Sequence, residues 1–337
     1  MGKSKRLMAR AEAREDVMAF LASRLEDELD VEGGILVLND RLKRIRIDPS
    51  ARWCRFAFQN GTPQFPDINQ RFDAVVYRLD PARKSSDMYL QIAASRMEPG
   101  AILWMLGSND EGVKSAAKHL SPYFEKSETF DYKKRARIIR AVRSDAPADG
   151  RIEDFQSRID LNEENDWVTF PGLFAGGGHD GGTKLLLEAL KSEKLKPEAK
   201  LCDWGCGSGV LTHGISQLVP NAFITGIDAD CLAIEAYRQN CPNATGLVSD
   251  GWNRLPSDSR FHVICSNPPM HIGKSEDFRM IQACIQDSPS RLHSSGVLYM
   301  VVLRQIPIQS MLEEHFNKVE MLAENNRYWV WKAVKKR

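Results

Sequence analysis

The chain has 337 residues, of which 42% are hydrophobic and 27% are charged. These values are ordinary for a soluble globular protein, and they exclude a mostly disordered chain. The length suits two domains of about 150 residues each better than one compact domain. The 46 Lys and Arg residues nearly balance the 45 Asp and Glu residues, so net charge alone does not indicate a nucleic-acid partner.

The cysteines and apolar segments bear on the compartment of the protein. The seven cysteines include no C-x-x-C pair, which favours reduced thiols and offers no metal-ligand spacing. The longest apolar stretches, residues 101–106 and 297–303, are too short to cross a bilayer. Residues 1–16 carry charges throughout and lack the apolar core of a signal peptide. We therefore expect a cytoplasmic monomer with no bound metal and no membrane contact.

A polar stretch with proline and glycine at residues 144–150 predicts a linker. We expect one domain at residues 1–150 and a second at about 165–337. In the second domain, short apolar runs alternate with helical patterns, as is typical of a doubly wound α/β sheet. Its predicted strands are residues 200–203, 222–228, 245–248, 261–266, 296–303 and 328–334. Its predicted helices are residues 183–190, 209–219, 231–240 and 275–287.

The sequence pattern of the first half of the chain resembles a degenerate copy of the second half. Residues 72–80 follow the pattern of residues 261–269, and the next apolar run has a counterpart in each half. Each half also ends in a basic strand. The pattern predicts two tandem Rossmann-like domains that arose by duplication, with the first one degenerate. Chance similarity between two α/β domains is the alternative.

A glycine-rich turn at residues 201–211 connects a predicted strand to a predicted helix. Gly205, Gly207 and Gly209 allow the backbone to approach a ligand closely. Their spacing differs from the dinucleotide fingerprint G-x-G-x-x-G. Asp203, just ahead of the loop, would repel a pyrophosphate but suits a ligand with a positively charged amino group.

Two further acidic residues stand at the ends of the next two strands. Asp228 is placed to accept both hydroxyls of a ribose, and Asp250 is placed to accept from an adenine amino group. A plain tight turn would explain the glycines alone, but not the acids that follow. Loop and acids together predict a site for S-adenosylmethionine.

Asn267, Pro268 and Pro269 follow a predicted strand at the same edge of the sheet. An exocyclic amine of a base, or an amide nitrogen, is a poor nucleophile because its lone pair is delocalised. Asn267 Oδ1 and the Pro268 carbonyl can accept its two N–H groups, which directs the lone pair at a methyl donor. The prolines stiffen the turn and add no competing N–H donor. This predicts a catalytic motif in which Asn267 also contacts the cofactor, with an ordinary Pro-Pro loop as the alternative.

Six segments together carry a family resemblance: GSNDEGVKSA at 107–116, FPGLF at 170–174, DGGTKLLL at 180–187, DWGCGSGVL at 203–211, NPPMHIG at 267–273 and RYWVWKA at 327–333. The second half resembles the N-P-P class I methyltransferases. The whole chain is similar to the bacterial ribosomal RNA guanine-N2 methyltransferases of the small-subunit methyltransferase C and large-subunit methyltransferase G group. Proteins of that group have two methyltransferase-like domains, the first without cofactor.

The resemblance implies methyl transfer from S-adenosylmethionine to N2 of a guanine in ribosomal RNA, with the base leaving its stack to reach Asn267. Met270 stands where the family usually has an aromatic residue that stacks on the base, so stacking is weaker or comes from Phe174. His271 matches the family motif, in either a structural or a catalytic role. Trp204 is unusual in the loop, and the sequence gives it no role.

Five positive charges fall within residues 133–140. A solvated strand face would explain them, but on a cofactor-free domain beside a nucleobase enzyme we expect Lys133, Lys134 and Arg135 to contact RNA phosphates. The predicted partner is ribosomal RNA or a ribosomal subunit. Two other functions stay open: N-methylation of a glutamine amide in a protein, and RNA binding without catalysis.

Overall fold

A computed structural model describes residues 3–58, 61, 63, 65, 67–161, 164–178, 180–269 and 275–335. The chain folds into two compact units. The first consists mainly of Arg6–Phe56 and Pro63–Gln156, and the second mainly of Ser157–Arg337 with the described part of residues 57–62. Both are α/β, which confirms the predicted fold class. In the described part of the chain, no helix has the length and apolar character needed to span a membrane.

The first unit is a six-stranded sheet covered by helices. Its helices are α1 (Lys3–Ser23), α2 (Arg83–Ala94) and α3 (Val113–Ala116). Its strands are β1 (Ile35–Leu38), β2 (Ala51–Trp53), β3 (Phe72–Arg78), β4 (Met97–Ser108), β5 (Phe124–Lys133) and β6 (Ala136–Arg143). The order is β2-β1-β3-β4-β6-β5, in which β1 to β4 are parallel and β5 and β6 run antiparallel to their neighbours. Met18 and Leu21 of α1 pack with Val37 and Trp104 of the sheet, because they recur on one helix face.

The second unit is a seven-stranded sheet preceded by a hairpin of β7 (Ser157–Leu161) and β8 (Glu164–Thr169). Its helices are α4 (Gly181–Leu190), α5 (Val210–Leu218), α6 (Cys231–Asn240), α7 (Ser275–Arg291) and α8 (Gln309–His315). The sheet strands are β9 (Lys200–Trp204), β10 (Phe223–Asp228), β11 (Thr245–Val248), β12 (Phe261–Ser266), β13 (Leu292–Leu303), β14 (Lys318–Glu324) and β15 (Tyr328–Val334). The order is β11-β10-β9-β12-β13-β15-β14, in which β15 runs antiparallel to its neighbours β13 and β14 and the strands from β11 to β13 are parallel.

All six strands predicted for this sheet form, but the prediction of six strands is wrong because β14 adds a seventh. β14 lies at an edge of the sheet, and its residues are half-buried or exposed. A half-solvated edge strand needs no continuous apolar run, so its sequence signal is weak. The β7–β8 hairpin also lies outside the predicted elements.

The two sheets share one topology. The order of the first equals that of the second without the edge strand β11. The parallel pairs β3–β4 and β12–β13 have a register shift at the same point. It lies between the residue pairs Phe72–Met97 and Ala74–Ile102 in the first sheet. In the second sheet it lies between Phe261–Leu292 and Val263–Val297. A shared order and a shared irregularity favour duplication over chance similarity.

The polar stretch predicted as a linker is held to the first unit. Arg143 Nη2 donates to the carbonyl of Ala146 at 2.7 Å, and Arg96 Nη1 donates to the carbonyl of Gly150 at 3.0 Å. Both arginines are buried, and a buried guanidinium needs acceptors. The chain passes into the second unit between Gln156 and Ser157.

Candidate active site

The glycine loop connects β9 to α5 at the carboxyl edge of the second sheet. Gly205, Gly207 and Gly209 have φ values of 74°, 54° and 98°, which a residue with a side chain rarely adopts. A Cβ atom on Gly205 or Gly207 would meet nothing within 4 Å, whereas one on Gly209 would lie 2.7 Å from Cys241 Sγ. The first two glycines therefore open the backbone to a ligand, and the third allows close packing inside the unit.

Asp203 lies beneath this loop and is only 1% exposed. Thr212 donates its hydroxyl hydrogen to Asp203 Oδ2 at 2.7 Å, while Oδ1 has no partner among the described residues. Burial raises the pKa of Asp203 to about 7, with a contribution from the charge of Asp228, although the Thr212 hydrogen bond opposes the shift. A buried oxygen without a donor is costly, so the residue suits a ligand that brings a positively charged amino group.

The next two acids lie at the same edge, as predicted. Asp228, at the end of β10, accepts from the backbone N–H of Gly207 and of Asp230, each at 2.9 Å. The backbone N–H of Ser249 donates to the Asp228 carbonyl at 2.8 Å, which brings the end of β11 and the following Asp250 alongside. Each carboxylate oxygen can accept more than one hydrogen bond, so Asp228 can shape the loop and still accept from a ligand.

Asn240 and Ser208, for which the sequence predicted no role, connect the glycine loop to neighbouring segments by hydrogen bonds. Asn240 Nδ2 donates to the carbonyls of Val168 and Ser208 at 2.9 and 3.0 Å, and its Oδ1 accepts the Val168 N–H. Ser208 donates its hydroxyl hydrogen to the Gly177 carbonyl at 2.6 Å. These bonds connect the glycine loop to the β7–β8 hairpin and to the turn after Phe174. No local sequence motif predicts these hydrogen bonds, because each one joins segments that are distant in the sequence.

Asn267 enters the site from the strand next to β9. β12 pairs with β9 so that Cys265 faces Asp203, and Ser266 donates its hydroxyl hydrogen to the Trp204 carbonyl at 2.8 Å. Asn267 follows directly and therefore lies beside the glycine loop. Pro268 is buried, and the two prolines present no N–H to this edge.

The amide of Asn267 is held at one end only. Its Nδ2 donates to both carboxylate oxygens of Asp180 at 3.0 Å and to the Thr183 hydroxyl at 2.8 Å. Its Oδ1 is buried and has no partner in the described part of the chain. Asp180 and Thr183 belong to one of the family segments, but the sequence predicts no function for them. The site thus presents one fixed, unpaired hydrogen-bond acceptor beside a loop that is open to a ligand.

Two family models match the chain in tandem. The "Methyltransferase small domain" model matches residues 164–332, and the "Methyltransferase small domain N-terminal" model matches residues 45–159. The chain belongs to the methyltransferase small domain family. The predicted family and enzyme class, an S-adenosylmethionine-dependent methyltransferase, are thereby confirmed.

Relatives in this family match most of the chain. The ribosomal RNA small subunit methyltransferase C of Pseudomonas syringae pv. syringae is 30% identical over 269 residues, which is 78% of this chain and 79% of that protein. The protein of the same name from Shewanella halifaxensis is 29% identical over 279 residues, which is 81% of this chain and 80% of that protein.

A solved structure has the same two-unit fold. It is the T. thermophilus 16S rRNA N2 G1207 methyltransferase in complex with AdoMet and guanosine. The TM-score is 0.77 at 20% sequence identity, and the match covers 96% of this chain and 91% of that one. At this identity the likeness concerns the fold.

The remaining predicted residues of this methyltransferase lie in several places. Phe174 is 49% exposed at the start of a short 3-10 helix, where an aromatic ring is available for stacking. Met270 and His271 lie outside the described residues. Trp204 is a buried core residue whose ring centre lies 6.3 Å from that of Trp252. Among the described residues, no group of three or more His, Cys, Asp or Glu side chains could hold a metal ion.

The predicted phosphate-binding cluster lies at the β5–β6 turn of the first unit. Lys133 Nζ is 3.1 Å from the centre of the Phe20 ring, and Arg135 forms an ion pair with Asp110 at 2.8 Å. Both members of that ion pair are largely exposed, so it contributes little stability and leaves Arg135 accessible.

Arg78 stands in the first unit where Asn267 stands in the second. It is buried at the end of β3, and its Nη2 pairs with Glu15 at 2.8 Å and with Glu111 at 2.6 Å. The position that carries the acceptor amide in the second unit is here filled by a buried ion cluster.

Proposed function

We propose that this protein transfers a methyl group from S-adenosylmethionine to the exocyclic N2 amine of a guanine in ribosomal RNA. The relatives are named for ribosomal RNA methylation, and the solved structure of the same fold contains AdoMet and guanosine. The observation that carries the proposal is the unpaired Oδ1 of Asn267, which is held beside the glycine loop by Asp180 and Thr183.

The residues at the sheet edge fit S-adenosylmethionine. The unpaired Oδ1 of Asp203 would accept from the amino group of its methionine part. The open backbone at Gly205 and Gly207 admits the ligand, Asp228 would accept from the ribose hydroxyls, and Asp250 from the adenine amine. When bound, the cofactor supplies an electrophilic methyl group on its sulfonium.

Asn267 and Pro268 act on the acceptor amine. Asn267 Oδ1 accepts one N–H and the Pro268 carbonyl accepts the other, which turns the nitrogen lone pair away from the base and toward the methyl group. No strong general base is needed, because the nitrogen becomes acidic as it gains the methyl group and its proton passes to a carbonyl or to water.

A guanine must leave its stack to reach Asn267, at a cost of a few kcal/mol. The exposed ring of Phe174 offers one stacking surface for the extruded base. Contacts between RNA phosphates and Lys133, Lys134 and Arg135 would offset part of the cost. The partner is ribosomal RNA or a ribosomal subunit, and we expect the enzyme to work in the cytoplasm as a monomer.

The proposal is tested by incubating the protein with methyl-labelled S-adenosylmethionine and, separately, with naked ribosomal RNA, isolated ribosomal subunits and ribosomal proteins. We expect label in RNA, recovered as N2-methylguanosine after digestion to nucleosides. Label on a protein glutamine would instead support amide methylation. Cofactor binding without transfer to any of these acceptors would support an RNA-binding protein without catalysis.

Asn267→Ala is the matched control for this assay. The variant should still fold and bind S-adenosylmethionine, because Asn267 makes no hydrogen bond to the glycine loop in the described residues. Its methyl transfer should collapse, since only the acceptor amine loses its orientation. Near-normal turnover would show that the N-P-P motif does not act as proposed.

A further inference from the structure

The amide of Asn267 has two chemically opposite ends. Its oxygen only accepts hydrogen bonds and its nitrogen only donates them. A rotation of 180° about the terminal bond would exchange the two ends with little change in shape. An N–H donor such as the proposed amine can use only the oxygen, so the reaction depends on which end faces it.

Asp180 decides that orientation. An ionised carboxylate only accepts hydrogen bonds, and both oxygens of Asp180 lie 3.0 Å from Asn267 Nδ2. The flipped amide would place Oδ1 against the same carboxylate, where two acceptors repel each other. The Thr183 hydroxyl could serve either orientation, because a hydroxyl both donates and accepts.

Asp180 is itself firmly placed at the start of α4. It caps the helix, since its Oδ1 accepts the backbone N–H of Thr183 at 2.6 Å. The helix is anchored by Leu186 and Leu190, which are buried in the core against the sheet. Gly182 lies so close to the amide that a Cβ there would come within 3.3 Å of Asn267 Oδ1. The first turn of α4 thus forms a rigid seat for Asn267.

We propose that Asp180 is a positioning residue that selects the orientation of Asn267 in which Oδ1 faces the methyl acceptor. This rests on the proposed function, because it assigns Asp180 a task through Asn267. It also implies that the start of α4 belongs to the acceptor side of the site, although it precedes the N-P-P motif by 87 residues.

The test is the substitution Asp180→Asn. The new side chain has nearly the same shape, and asparagine caps helices as well as aspartate does. If its oxygen keeps the cap, its amino group faces Asn267 and favours the flipped amide. We expect kcat to fall by about 10²-fold, as for a misplaced catalytic group. The Kd for S-adenosylmethionine and the Tm should stay close to the wild-type values.

Asp180→Ser is the matched control. Serine also caps the helix, but it has no amino group that would drive the flip. Although serine is the larger change in size, we expect it to lose less activity than Asp180→Asn. A purely structural role would give the opposite order or equal losses. That outcome would overturn the inference.

A double variant separates this inference from the proposed function. In the Asn267→Ala background, Asp180→Asn should cause no further loss of transfer, because its effect passes through Asn267. Losses that multiply would overturn the inference. A harmless Asn267→Ala would instead overturn the proposed mechanism.

Side-chain amide NMR reads the same contact without any turnover. The Nδ2 hydrogens of Asn267 should exchange slowly with solvent in the wild type and faster in Asp180→Ser. Equal exchange in both proteins would mean that Asp180 does not hold the amide.

Discussion

The pKa of Asp203 has a direct consequence for cofactor binding. The buried carboxylic acid ionises only near pH 7, and the positively charged amino group of S-adenosylmethionine favours the ionised form. Affinity should therefore fall as pH drops below about 7, by up to about tenfold per unit. Calorimetric titrations from about pH 5.5 to about pH 8, in steps of about half a pH unit, would measure this dependence.

Asp203→Asn is the check on that assignment, since it should remove most of the pH dependence. The pH dependence of folding stability has the opposite direction to that of cofactor binding. A carboxyl whose folded pKa is raised favours folding when protonated, so its contribution declines as pH rises from about 4 toward 7. A cofactor affinity that is flat across this range in the wild type would contradict the role given to Asp203.

Asp228 should govern affinity at every pH. Asp228→Ala removes a charged acceptor worth about 1.5–3 kcal/mol, and it also frees the N–H of Gly207. We expect weaker binding of S-adenosylmethionine, with the pH dependence moved to lower pH because the charge of Asp228 helps to raise the pKa of Asp203. Unchanged affinity in calorimetry would remove Asp228 from the site.

At the level of elements, the end of β3 shows what the first unit has in place of the acceptor amide of the second unit. Arg78 fills the place of Asn267 and is paired with Glu15 and Glu111. Burial would raise the pKa of Glu111, but the hydrogen bond and the charge of Arg78 outweigh it and hold the pKa below its usual value. A carboxyl group whose pKa is lowered by folding stabilises the folded state at pH values above its unfolded pKa. This stabilisation is lost as the pH falls through the folded pKa.

Removing Arg78 should therefore destabilise the first unit. Arg78→Met leaves Glu15 and Glu111 with the partly exposed Arg14, whose Nε lies 3.4 and 3.3 Å from them, as their remaining cation among the described residues. Because one cation stays, we expect a cost below the roughly 3–5 kcal/mol of a buried pair that loses its partner altogether. Urea denaturation should show the loss at neutral pH and a smaller one in acid, below the pKa of Glu111. A wild-type denaturation curve would mean that water reaches and solvates the cluster.

At the level of the whole molecule, the two units predict a division of labour. The second carries the glycine loop and the amide, while the first carries the basic turn at Lys133, Lys134 and Arg135. Neutralising these three should weaken RNA binding and flatten its salt dependence by roughly 0.7–0.9 per lost phosphate contact. Affinity for S-adenosylmethionine should not change.

The matched control neutralises Lys191, Lys194 and Lys196, which are exposed after α4 at the amino edge of the second sheet, opposite the site. It removes the same charge from a surface with no proposed RNA contact. If both triple variants lower RNA affinity equally, the effect is one of net charge. If the first variant keeps the wild-type salt slope, the basic turn is a solvated face.

Much of the second unit could be predicted because its signals are local. Buried parallel strands require continuous apolar runs, and the central parallel strand β12 begins and ends at the predicted residues. The bounds of β11 and β15 also match the prediction. The loop glycines and the acids at the ends of β9 and β10 were likewise visible, since a turn with positive φ and a strand end are properties of a few adjacent residues. Edge strand β14 was not visible, because its half-exposed face leaves no such run.

The sequence by itself determined the family and the fold class, and it named the candidate residues for the cofactor and the acceptor. Only the tertiary structure decided how those residues are held. Asp180 meets Asn267 across 87 residues and Asn240 meets Ser208 across 32, and neither pair forms a local pattern. The same holds for Arg78, whose carboxylate partners come from α1 and from the turn after β4. A motif records what one stretch of backbone requires, whereas the orientation of an amide or the pairing of a buried charge depends on which distant groups the packed fold brings within hydrogen-bonding distance.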